Sequence, residues 1–472
     1  MDSELKNIKI NSRKVGFFRF GKIDGNYLLT NDFGFYAILT PDQFKNFLEG
    51  KLNKENQAYE ELRDKGFFKN IPFYQKEELI STYRARKSNL FKSGPSLHIV
   101  AVTLRCNFRC IYCQASSRSL KEKKYDMSLD TAKKTVDFIF DTPNPFITIE
   151  FQGGEPLVNW PVVKFIVEYA REKSQKTGRN LKIQLVSNLT LMTEKKLEFL
   201  TKNKVNICTS LDGPKKIHNK NRPWPGGDSY KTTTDWIKKI KKNGKIGALL
   251  TISKYSLKYP KQIIDEYLKW EFQSIHLRQL SYLGYSRVHQ DKIGYSVEEF
   301  IRFWKKSMDY IISINKNGRY FEERESQIML QRIMTNKNPG YTDLSSPCGA
   351  VLGQMLYNYD GNIYTCDEGR MLENDTFLIG NITNEYKDVI LNSKTRVMMA
   401  ASCLENTSCD YCVYKPYCGI CPLKNYVYYG NLFPQIENTE HCKMKKAQFD
   451  YFFSKMRDKK VEEIFKKWAG KK

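Results

Sequence analysis

Short apolar runs alternate with amphipathic stretches between residues 97 and 280, and this alternation restricts the fold more than any other feature. Six runs have the length of strands, at 97–104, 146–151, 182–187, 205–210, 245–252 and 274–280. Helical stretches separate them, at 129–140, 162–173, 194–200, 230–241 and 261–270. Such a repeat predicts a parallel sheet with helices outside it. A full eight-stranded barrel takes about 250 residues, so we predict an α/β fold with a partial (β/α)6 TIM-like barrel, closed by a helix over 297–314.

The segments on either side of this repeat read as separate units. Residues 1–85 contain two short apolar runs at 27–30 and 35–39 followed by two helical stretches, which suits a winged-helix-like α+β module. The remaining boundaries that we predict are a linker at 86–96, the barrel at 97–316, a connector at 317–346, a cysteine-rich domain at 347–446 and a C-terminal amphipathic helix at 447–472.

Charge and hydropathy exclude some classes of protein. No run approaches the roughly 18 apolar residues of a membrane span, and the N-terminus lacks the apolar core of a signal peptide, so we expect a cytoplasmic protein without membrane contact. Lys and Arg number 77 against 52 Asp and Glu, a net charge of +25. The lysines are scattered rather than grouped in a stripe, so nucleic-acid binding is the less favoured interpretation, and salt-dependent DNA binding would support it.

The cysteines carry the chemical information, because a cytosolic chain does not normally keep structural disulfides. Three of the twelve, Cys106, Cys110 and Cys113, are spaced C-x3-C-x2-C just beyond the first predicted strand. Three thiolates on one loop can hold three irons of a [4Fe–4S] cube and leave the fourth iron open to a ligand. The alternative is a closed zinc or cluster site with a distant fourth ligand, but none of the five histidines lies near this loop in the sequence.

This loop, with Tyr112 before its last cysteine, resembles the signature of the radical S-adenosylmethionine (SAM) enzymes. The resemblance implies that the open iron binds SAM and that an electron from the cluster cleaves SAM to a 5′-deoxyadenosyl radical. Further segments at strand ends resemble motifs of the same family: GGEP at 153–156, Thr-Asn-Gly at 187–189 with Leu189 in place of the glycine, and Ser-Leu-Asp-Gly at 210–213. By this resemblance the SAM site would include Gln152, Gly153, Gly154, Glu155, Ser187, Asn188 and Ser210. Arg222 either pairs with a carboxylate of SAM or substrate, or makes a structural ion pair.

A second group of cysteines fills the C-terminal part of the chain. The knuckles C-x2-C at 409–412 and 418–421 stand too close together for a typical zinc ribbon. The layout resembles the SPASM extension of radical SAM peptide maturases, which holds two auxiliary [4Fe–4S] clusters, although x2 precedes Cys421 where the usual pattern has x3. The resemblance implies a distal cluster on Cys409, Cys412, Cys418 and Cys442. It implies a proximal cluster on Cys348, Cys366 and Cys421, whose fourth position is Cys403 or open.

Two further residues receive interpretations of their own. Asp367 follows Cys366 at a position where some sulfatase-maturing relatives have a proton-accepting aspartate, and the alternative is a solvated charged turn at 366–370. Cys208 lies inside a predicted strand, so we interpret it as a small core residue.

Longer segments at 17–20, 28–31, 218–230 and 357–372 resemble the B-type radical SAM maturase of the His-Xaa-Ser peptide system. This resemblance implies a ribosomal peptide substrate with His-Xaa-Ser repeats, a second radical SAM protein, and a flavodoxin- or ferredoxin-type electron donor. The N-terminal module would then grip a leader peptide as an added strand, or merely buttress the barrel.

The predicted function is that of a radical SAM enzyme that abstracts hydrogen from a side chain of a ribosomal peptide to give a cross-link, an epimer or an oxidised residue. The alternative enzyme is an anaerobic sulfatase-type maturase that forms formylglycine. A hypothesis of another class is a Fe–S scaffold that delivers peptide to a partner enzyme, but a scaffold has no need of a SAM site.

Overall fold

The computed structural model describes residues 8–88, 93–335, 337 and 344–471. The predicted linker 86–96 and connector 317–346 therefore lie partly outside the described residues. Among the residues described, no helix has both the length and the apolar character to cross a membrane.

The N-terminal module is a three-stranded antiparallel sheet followed by three helices. The elements are β1 (Arg19–Ile23), β2 (Asn26–Thr30), β3 (Tyr36–Leu39), α1 (Pro41–Leu48), α2 (Gln57–Asp64) and α3 (Phe73–Ser88). The sequence predicted β2 and β3 but missed β1, whose apolar pattern is interrupted by Gly21 and Lys22. Asp24 and Gly25 join β1 to β2 with φ of 44° and 76°, and such a two-residue Asp-Gly turn is a hairpin signal.

The barrel strands are those that the repeat predicts. They are β4 (Leu97–Thr103), β5 (Phe146–Gly153), β6 (Asn180–Val186), β7 (Val205–Ser210), β8 (Ile246–Thr251), β9 (Ser274–Ile275) and β10 (Leu277–Arg278). The last predicted strand is split, because β9 leaves the barrel sheet to pair with β11 (Glu322–Glu323). The parallel order β10-β8-β7-β6-β5-β4 confirms the partial six-stranded barrel.

Helices cover the outer side of these strands. They are α4 (Leu129–Phe140), α5 (Trp160–Thr177), α6 (Glu194–Lys202), α7 (Lys215–Asn221), α8 (Ser229–Asn243), α9 (Pro260–Lys269), α10 (Tyr285–Val288), α11 (Gln290–Ile293), α12 (Val297–Lys316) and α13 (Arg324–Met334). The predicted closing helix is α12, which begins at a capping box made by Ser296 and Glu299.

Alternate residues of β5, β6 and β7 differ in exposure, and this pattern defines an open interior. In β5 the residues Ile147, Ile149 and Phe151 are buried, whereas Glu150 and Gln152 are partly exposed. Successive side chains of a strand point to opposite faces, so the buried row faces the helices and the other row faces the interior, which we call the lumen. A lumen lined by partly exposed side chains is accessible to solvent.

The C-terminal region continues the barrel sheet. Its strands are β12 (Gln354–Tyr357), β13 (Asn362–Tyr364) and β14 (Leu378–Asn381), and β12 pairs in parallel with β4. The sequence did not predict these short strands. The four residues of β12 are too few to give a recognisable strand periodicity. They form a strand because they pair with the edge of β4.

Six helices complete this region. They are α14 (Asp367–Arg370), α15 (Tyr386–Ile390), α16 (Ser393–Ser402), α17 (Pro422–Tyr429), α18 (Glu440–Lys455) and α19 (Lys459–Ala469). The single C-terminal helix predicted at 447–472 is wrong, since two helices meet near Met456 and Asp458 caps the second. The predicted apolar face is nevertheless buried, including Phe449, Phe452, Phe465 and Trp468.

The N-terminal module packs on the C-terminal region. The hydroxyl of Thr30 donates to the carbonyl of Val413 at 2.7 Å, and that of Tyr417 donates to the carbonyl of Gly34 at 3.1 Å. The ring of Tyr36 meets that of Phe453 on α18 edge to face, with centroids 5.1 Å apart. These contacts join the module to the cysteine-rich segment.

Candidate active site and cysteine sites

The carboxyl ends of the barrel strands bring the predicted SAM-site residues to one edge. Parallel pairing sets Thr103 of β4 beside Gly153 of β5, and Phe151 beside Leu185 of β6. The segments that follow these strands carry the first cysteines, the two glycines and Ser187-Asn188. Barrels of this type carry their active sites at this edge.

The first cysteine loop, residues 106–113, is held by main-chain hydrogen bonds on two sides. The amide of Cys106 donates to the carbonyl of Arg118 at 3.0 Å. The amides of Arg109 and Ile111 donate at 3.0 Å to the carbonyls of Pro223 and Asn221, in the segment after β7. The loop therefore has a fixed path over the end of the barrel.

The thiols of this loop suit a metal cluster. Burial raises the pKa of Cys106 and raises that of Cys110 to about 12. Cys110 and Cys113 add to the rise at Cys106, and Cys113 adds to the rise at Cys110. Such thiols are neutral in the protein alone, whereas bound iron holds them as thiolates. Three half-buried thiols on a fixed loop thus fit the three-ligand cluster that the spacing predicts.

Gly153 and Gly154 are required by the close approach of β5 to the start of the cysteine loop. A Cβ on Gly153 would lie 2.2 Å from the carbonyl oxygen of Thr103, and one on Gly154 would lie 2.2 Å from that of Arg105. Gly153 also has a φ of 123°, which side chains disfavour. The backbone that these two glycines approach is that of the chain itself.

Glu155 joins two strand ends from within the protein. It is 1% exposed, and its carboxylate accepts hydrogen bonds from the hydroxyl of Ser187 at 2.7 Å and from the amides of Asn188 and Leu157 at 2.8 and 3.1 Å. Burial raises its pKa and these donors lower it. The contact of Glu155 with SAM stays a prediction, and the observed role of this carboxylate is to fix the loop after β6.

The loop after β6 is tied to the cysteine loop. The side-chain amide of Asn188 donates to the side-chain oxygen of Asn107 at 2.9 Å. The next residue, Leu189, has a φ of 64°, and it stands where the Thr-Asn-Gly motif has glycine. Left-handed backbone costs a branched side chain roughly 1–2 kcal/mol, and complete burial of Leu189 offsets that cost.

Gln152 and Ser210 face the lumen near the same edge. Gln152 donates to the carboxylate of Glu150 at 2.6 Å, and Ser210 ends β7 on the partly exposed row. Cys208 lies on that row as well, so it is a lumen residue and not the core residue that the sequence predicted. Burial raises its pKa to about 12, and Glu150 adds to this.

Arg222 makes the structural ion pair, one of the two predicted alternatives. Its Nε lies 3.1 Å from a carboxylate oxygen of Asp212, which is fully buried, and Tyr112 donates to the other oxygen at 2.5 Å. Nη1 of Arg222 lies 3.9 Å from the Sγ of Cys110. Burial lowers the pKa of Arg222, but Asp212, Tyr112 and Cys110 together raise it above its usual value. A buried cation therefore stands beside a cluster thiol.

Asp367 is directed toward the lumen from the C-terminal region. It begins α14, and its Oδ1 is buried with no hydrogen-bond partner among the described residues. Burial raises its pKa to about 6, and the charges that act on it include Arg278 and Glu150 of the barrel wall. The solvated-turn alternative is wrong, because this segment is a short helix whose Arg370 is 4% exposed.

Sequence reasoning missed several polar groups of the lumen. Glu150 and Arg278 lie on inward rows of β5 and β10, and Nη2 of Arg278 donates to the carboxylate of Glu368 at 3.4 Å. The partial exclusion of water raises the pKa of Glu150. Glu150 could have been predicted as a lumen residue, because it is a charged residue inside an otherwise apolar strand.

The four cysteines assigned to the distal cluster line one cavity, which we call the distal cavity. They are Cys409, Cys412, Cys418 and Cys442, and Lys445 lines the cavity with them. Burial raises the pKa of Cys418 to about 12, and the other three thiols add to this effect. Four thiols around one enclosed space fit the four-ligand cluster that the resemblance implies.

Cys348, Cys366 and Cys421, which we call the proximal group, share one cluster of buried side chains. Burial raises the pKa of Cys366, and Cys348 contributes to the rise. The amide of Leu404 donates to the hydroxyl of Ser346 at 3.0 Å, which brings the segment carrying Cys403 beside the segment carrying Cys348. The fourth ligand stays a prediction.

No three His, Cys, Asp or Glu side chains converge on a single point as ligands of one metal ion do, among the residues that the structure describes. The thiolates of a [4Fe–4S] cube bind four separate irons, so this finding concerns sites for single ions.

Comparison with known proteins identifies the class. Residues 100–265 match the family model of the Radical SAM superfamily. These residues span β4 to α9, including the first cysteine loop and the glycine turn. This segment therefore matches the Radical SAM superfamily, and membership of that superfamily implies a [4Fe–4S] cluster and SAM.

Two curated relatives are similar over most of the chain. A cysteine-type anaerobic sulfatase-maturating enzyme of Clostridium perfringens is 26% identical over 67% of this chain and 85% of its own length. The radical SAM cyclopropyl synthase TigE of Paramaledivibacter caminithermalis is 25% identical over 84% of this chain and 82% of its own.

Solved structures share the fold. The structure titled "Native anSMEcpe with bound AdoMet" has a TM-score of 0.66 at 21% identity and covers 78% of this chain and all of that one. Streptococcus suis SuiB bound to precursor peptide SuiA has a TM-score of 0.54 at 14% identity and covers 90% of this chain and 98% of that one. These likenesses confirm the predicted radical SAM α/β fold.

Proposed function

We propose that this radical SAM enzyme modifies a ribosomally made peptide by abstracting hydrogen from one of its side chains. The observation that carries the proposal is the position of Asp367. Strand β12 attaches the cysteine-rich region to β4. Helix α14 then brings Asp367 within range of the lumen charges of Arg278 and Glu150, and its buried Oδ1 has no hydrogen-bond partner among the described residues. A carboxylate held in this way is suited to accept a proton from a substrate.

The chain's own residues divide the work. When bound, the clusters and SAM supply the hydrogen-abstracting radical and take up the electron that the substrate loses. Cys106, Cys110 and Cys113 hold the first cluster, while the distal cavity and the proximal group hold two auxiliary clusters. Asp367 accepts the proton released as the substrate is oxidised, and Gln152 and Ser210 contact SAM from the lumen.

A peptide substrate is supported by two of the similar structures. One is anSMEcpe with bound AdoMet and Cp18Cys peptide, and the other is SuiB bound to precursor peptide SuiA. In this chain the strands β1 and β3 form the edges of the N-terminal sheet, and an extended leader peptide binds such an edge as an added strand. His-Xaa-Ser repeats in the substrate, a second radical SAM protein and a flavodoxin- or ferredoxin-type donor complete the proposal.

Co-expression with the peptide encoded beside the gene tests this function. Tandem mass spectrometry should find a modified residue with the wild-type enzyme and none with Asp367→Asn, although the variant still cleaves SAM. Asp388→Asn, on the exposed side of α15, is the matched control and should modify the peptide as the wild type does. An unmodified peptide beside active SAM cleavage by the wild type would contradict the proposal.

Formylglycine formation is the second candidate, favoured by the similarity to sulfatase-maturating enzymes of both the cysteine and serine types. Asp367 suits this reaction as well, because oxidation of a thiol or hydroxyl also releases a proton. The product distinguishes the two. Formylglycine changes the mass of one Cys or Ser, whereas a cross-link holds two residues together after protease digestion.

A further inference from the structure

Lys445 is a buried cation beside the distal cavity. Helix α18 begins after its N-cap Thr439 and carries Cys442 and Lys445 three positions apart, so both lie on one side of the helix. Both residues line the cavity, and the side chain of Lys445 is 3% exposed. An ammonium group is removed from water at a cost that only a partner offsets.

The partner of Lys445 is Glu325 of α13. The ammonium forms an ion pair with the carboxylate, whose side chain is 19% exposed. Burial raises the pKa of Glu325, but Lys445 and His276 lower it below its usual value. Lys445 lines the distal cavity and Glu325 does not, and the positive charge of Lys445 lowers the pKa of the Cys418 thiol.

Two other lysines, Lys415 and Lys446, also line the distal cavity. The Lys415 ammonium pairs with Asp410 and lies 3.9 Å from Glu405, and Lys446 is exposed to solvent. Water and salt screen exposed charges, whereas buried charges interact through a lower effective dielectric. Lys445 is the most deeply buried lysine of this lining, and its charge lowers the pKa of Cys418, whereas the exposed Lys446 acts on Cys409 and Cys442.

We infer that Lys445 raises the reduction potential of the cluster that Cys409, Cys412, Cys418 and Cys442 hold, and so favours this cluster as the acceptor of the substrate's electron. Reduction adds one negative charge to a cluster, and a nearby buried cation stabilises that charge. Hydrogen bonds, net charge and solvent exposure are the protein's means of setting such potentials. The inference rests on the proposed function, since it requires the distal cluster.

The test is an anaerobic redox titration of the reconstituted enzyme, followed by electron paramagnetic resonance. The distal signal is assigned by its loss in Cys418→Ser. Lys445→Arg should keep the wild-type midpoint potential, and Lys445→Met should have the lowest, because it removes the cation and leaves Glu325. The double variant Lys445→Met/Glu325→Gln removes both charges and should fall between them.

Lys443→Met is the matched control, because Lys443 lies next to Cys442 but is exposed and paired with Glu298. Its midpoint should equal that of the wild type. The double variant also avoids an unpaired buried carboxylate, so it keeps the test decisive if Lys445→Met fails to fold. Equal distal potentials in the wild type and the double variant overturn this inference alone. Iron and a resonance signal for only one cluster in the wild type overturn the distal cluster and the inference together.

Discussion

The first cysteine loop and the distal cavity use the same electrostatic arrangement on different scaffolds. In each, a buried cation paired with a carboxylate stands beside a thiol. Arg222 pairs with Asp212 near Cys110, and Lys445 pairs with Glu325 at the cavity that contains Cys418. The first site draws three thiols from one loop that backbone bonds fix in place. The distal site draws four from two separate segments around an enclosed space.

This difference indicates different chemical roles. Three thiolates leave one iron of a cube for a small ligand, whereas four complete its protein ligands. Under the proposed function, the first site cleaves SAM and the distal site stores or transfers an electron. Variants at matched positions of the two sites test this distinction.

The largest expected effect separates Cys106→Ala from Cys409→Ala. Loss of Cys106 should abolish the formation of 5′-deoxyadenosine from SAM, because it removes a ligand of the cluster whose open iron is proposed to bind SAM. Loss of Cys409 should leave that formation in place and lower the iron content by about one cluster. Chromatography of the nucleoside product and iron and sulfide analysis of anaerobically reconstituted protein measure both. Production of 5′-deoxyadenosine by Cys106→Ala would remove the distinction between the sites.

A smaller effect concerns the buried ion pair of the first site. Arg222→Met leaves the carboxylate of Asp212 without its cation at 0% exposure, and breaking a buried pair costs about 3–5 kcal/mol. The free energy of unfolding, from anaerobic urea titration, should fall by this amount, and Arg222→Met/Asp212→Asn should recover part of it. Lys239→Met, which breaks an exposed pair with Glu194, is the control and should leave the unfolding free energy nearly unchanged. If Arg222→Met and Lys239→Met lowered the free energy of unfolding equally, burial of the Arg222–Asp212 pair would have no effect on its contribution to stability.

The smallest expected effect is a pH dependence at the first site. His218 is fully buried, and its Nδ1 accepts the amide hydrogen of Asp212 at 3.3 Å. Burial lowers its pKa from 6.5 to about 4. As pH falls below about 6.5 the unfolded chain binds a proton that the folded chain does not, so stability is lost from there down to about pH 4. The titration of His218 therefore lowers the free energy of unfolding by about 2 kcal/mol between pH 7 and pH 5.

His218→Asn keeps an acceptor for the amide without a titrating ring, so its unfolding free energy should fall less over this range than that of the wild type. Urea titrations at pH 7 and pH 5 measure the difference. His98 and His276 also have lowered pKa values. Both residues are present in the wild type and in the variant, so their contribution cancels when the two proteins are compared. Parallel pH profiles of the two proteins would contradict the expectation.

Much of the barrel could be predicted because its signals are local. The strand runs, the closing helix and the cysteine loop all depend on residues within one turn or one strand. The same reasoning missed β12, whose four residues Gln354–Tyr357 become a strand only beside β4. It also treated the C-terminal helix as continuous, since the break near Met456 leaves the apolar pattern intact.

The sequence likewise predicted some features of the candidate site and missed others. The sequence singled out Gly153 and Gly154 but could not identify the backbone of Thr103 and Arg105 as what they approach. It left two roles for Arg222, and the ion pair with Asp212 emerged only from the structure. Asp212 itself was part of a recognised segment, yet nothing in its sequence neighbourhood indicates that a tyrosine and an arginine converge on it.

The sequence alone determined the spacing of the thiols, the order of strands and helices and the resemblance to radical SAM enzymes, because these depend on neighbours along the chain. Tertiary structure decided that Asp367 reaches the lumen and that Lys445 pairs with Glu325, 120 positions away. The physical reason is that the environment of a charge depends on which elements pack around it. Local periodicity does not encode that packing. The packing sets how deeply each charge is buried, and burial decides how strongly that charge interacts with its neighbours.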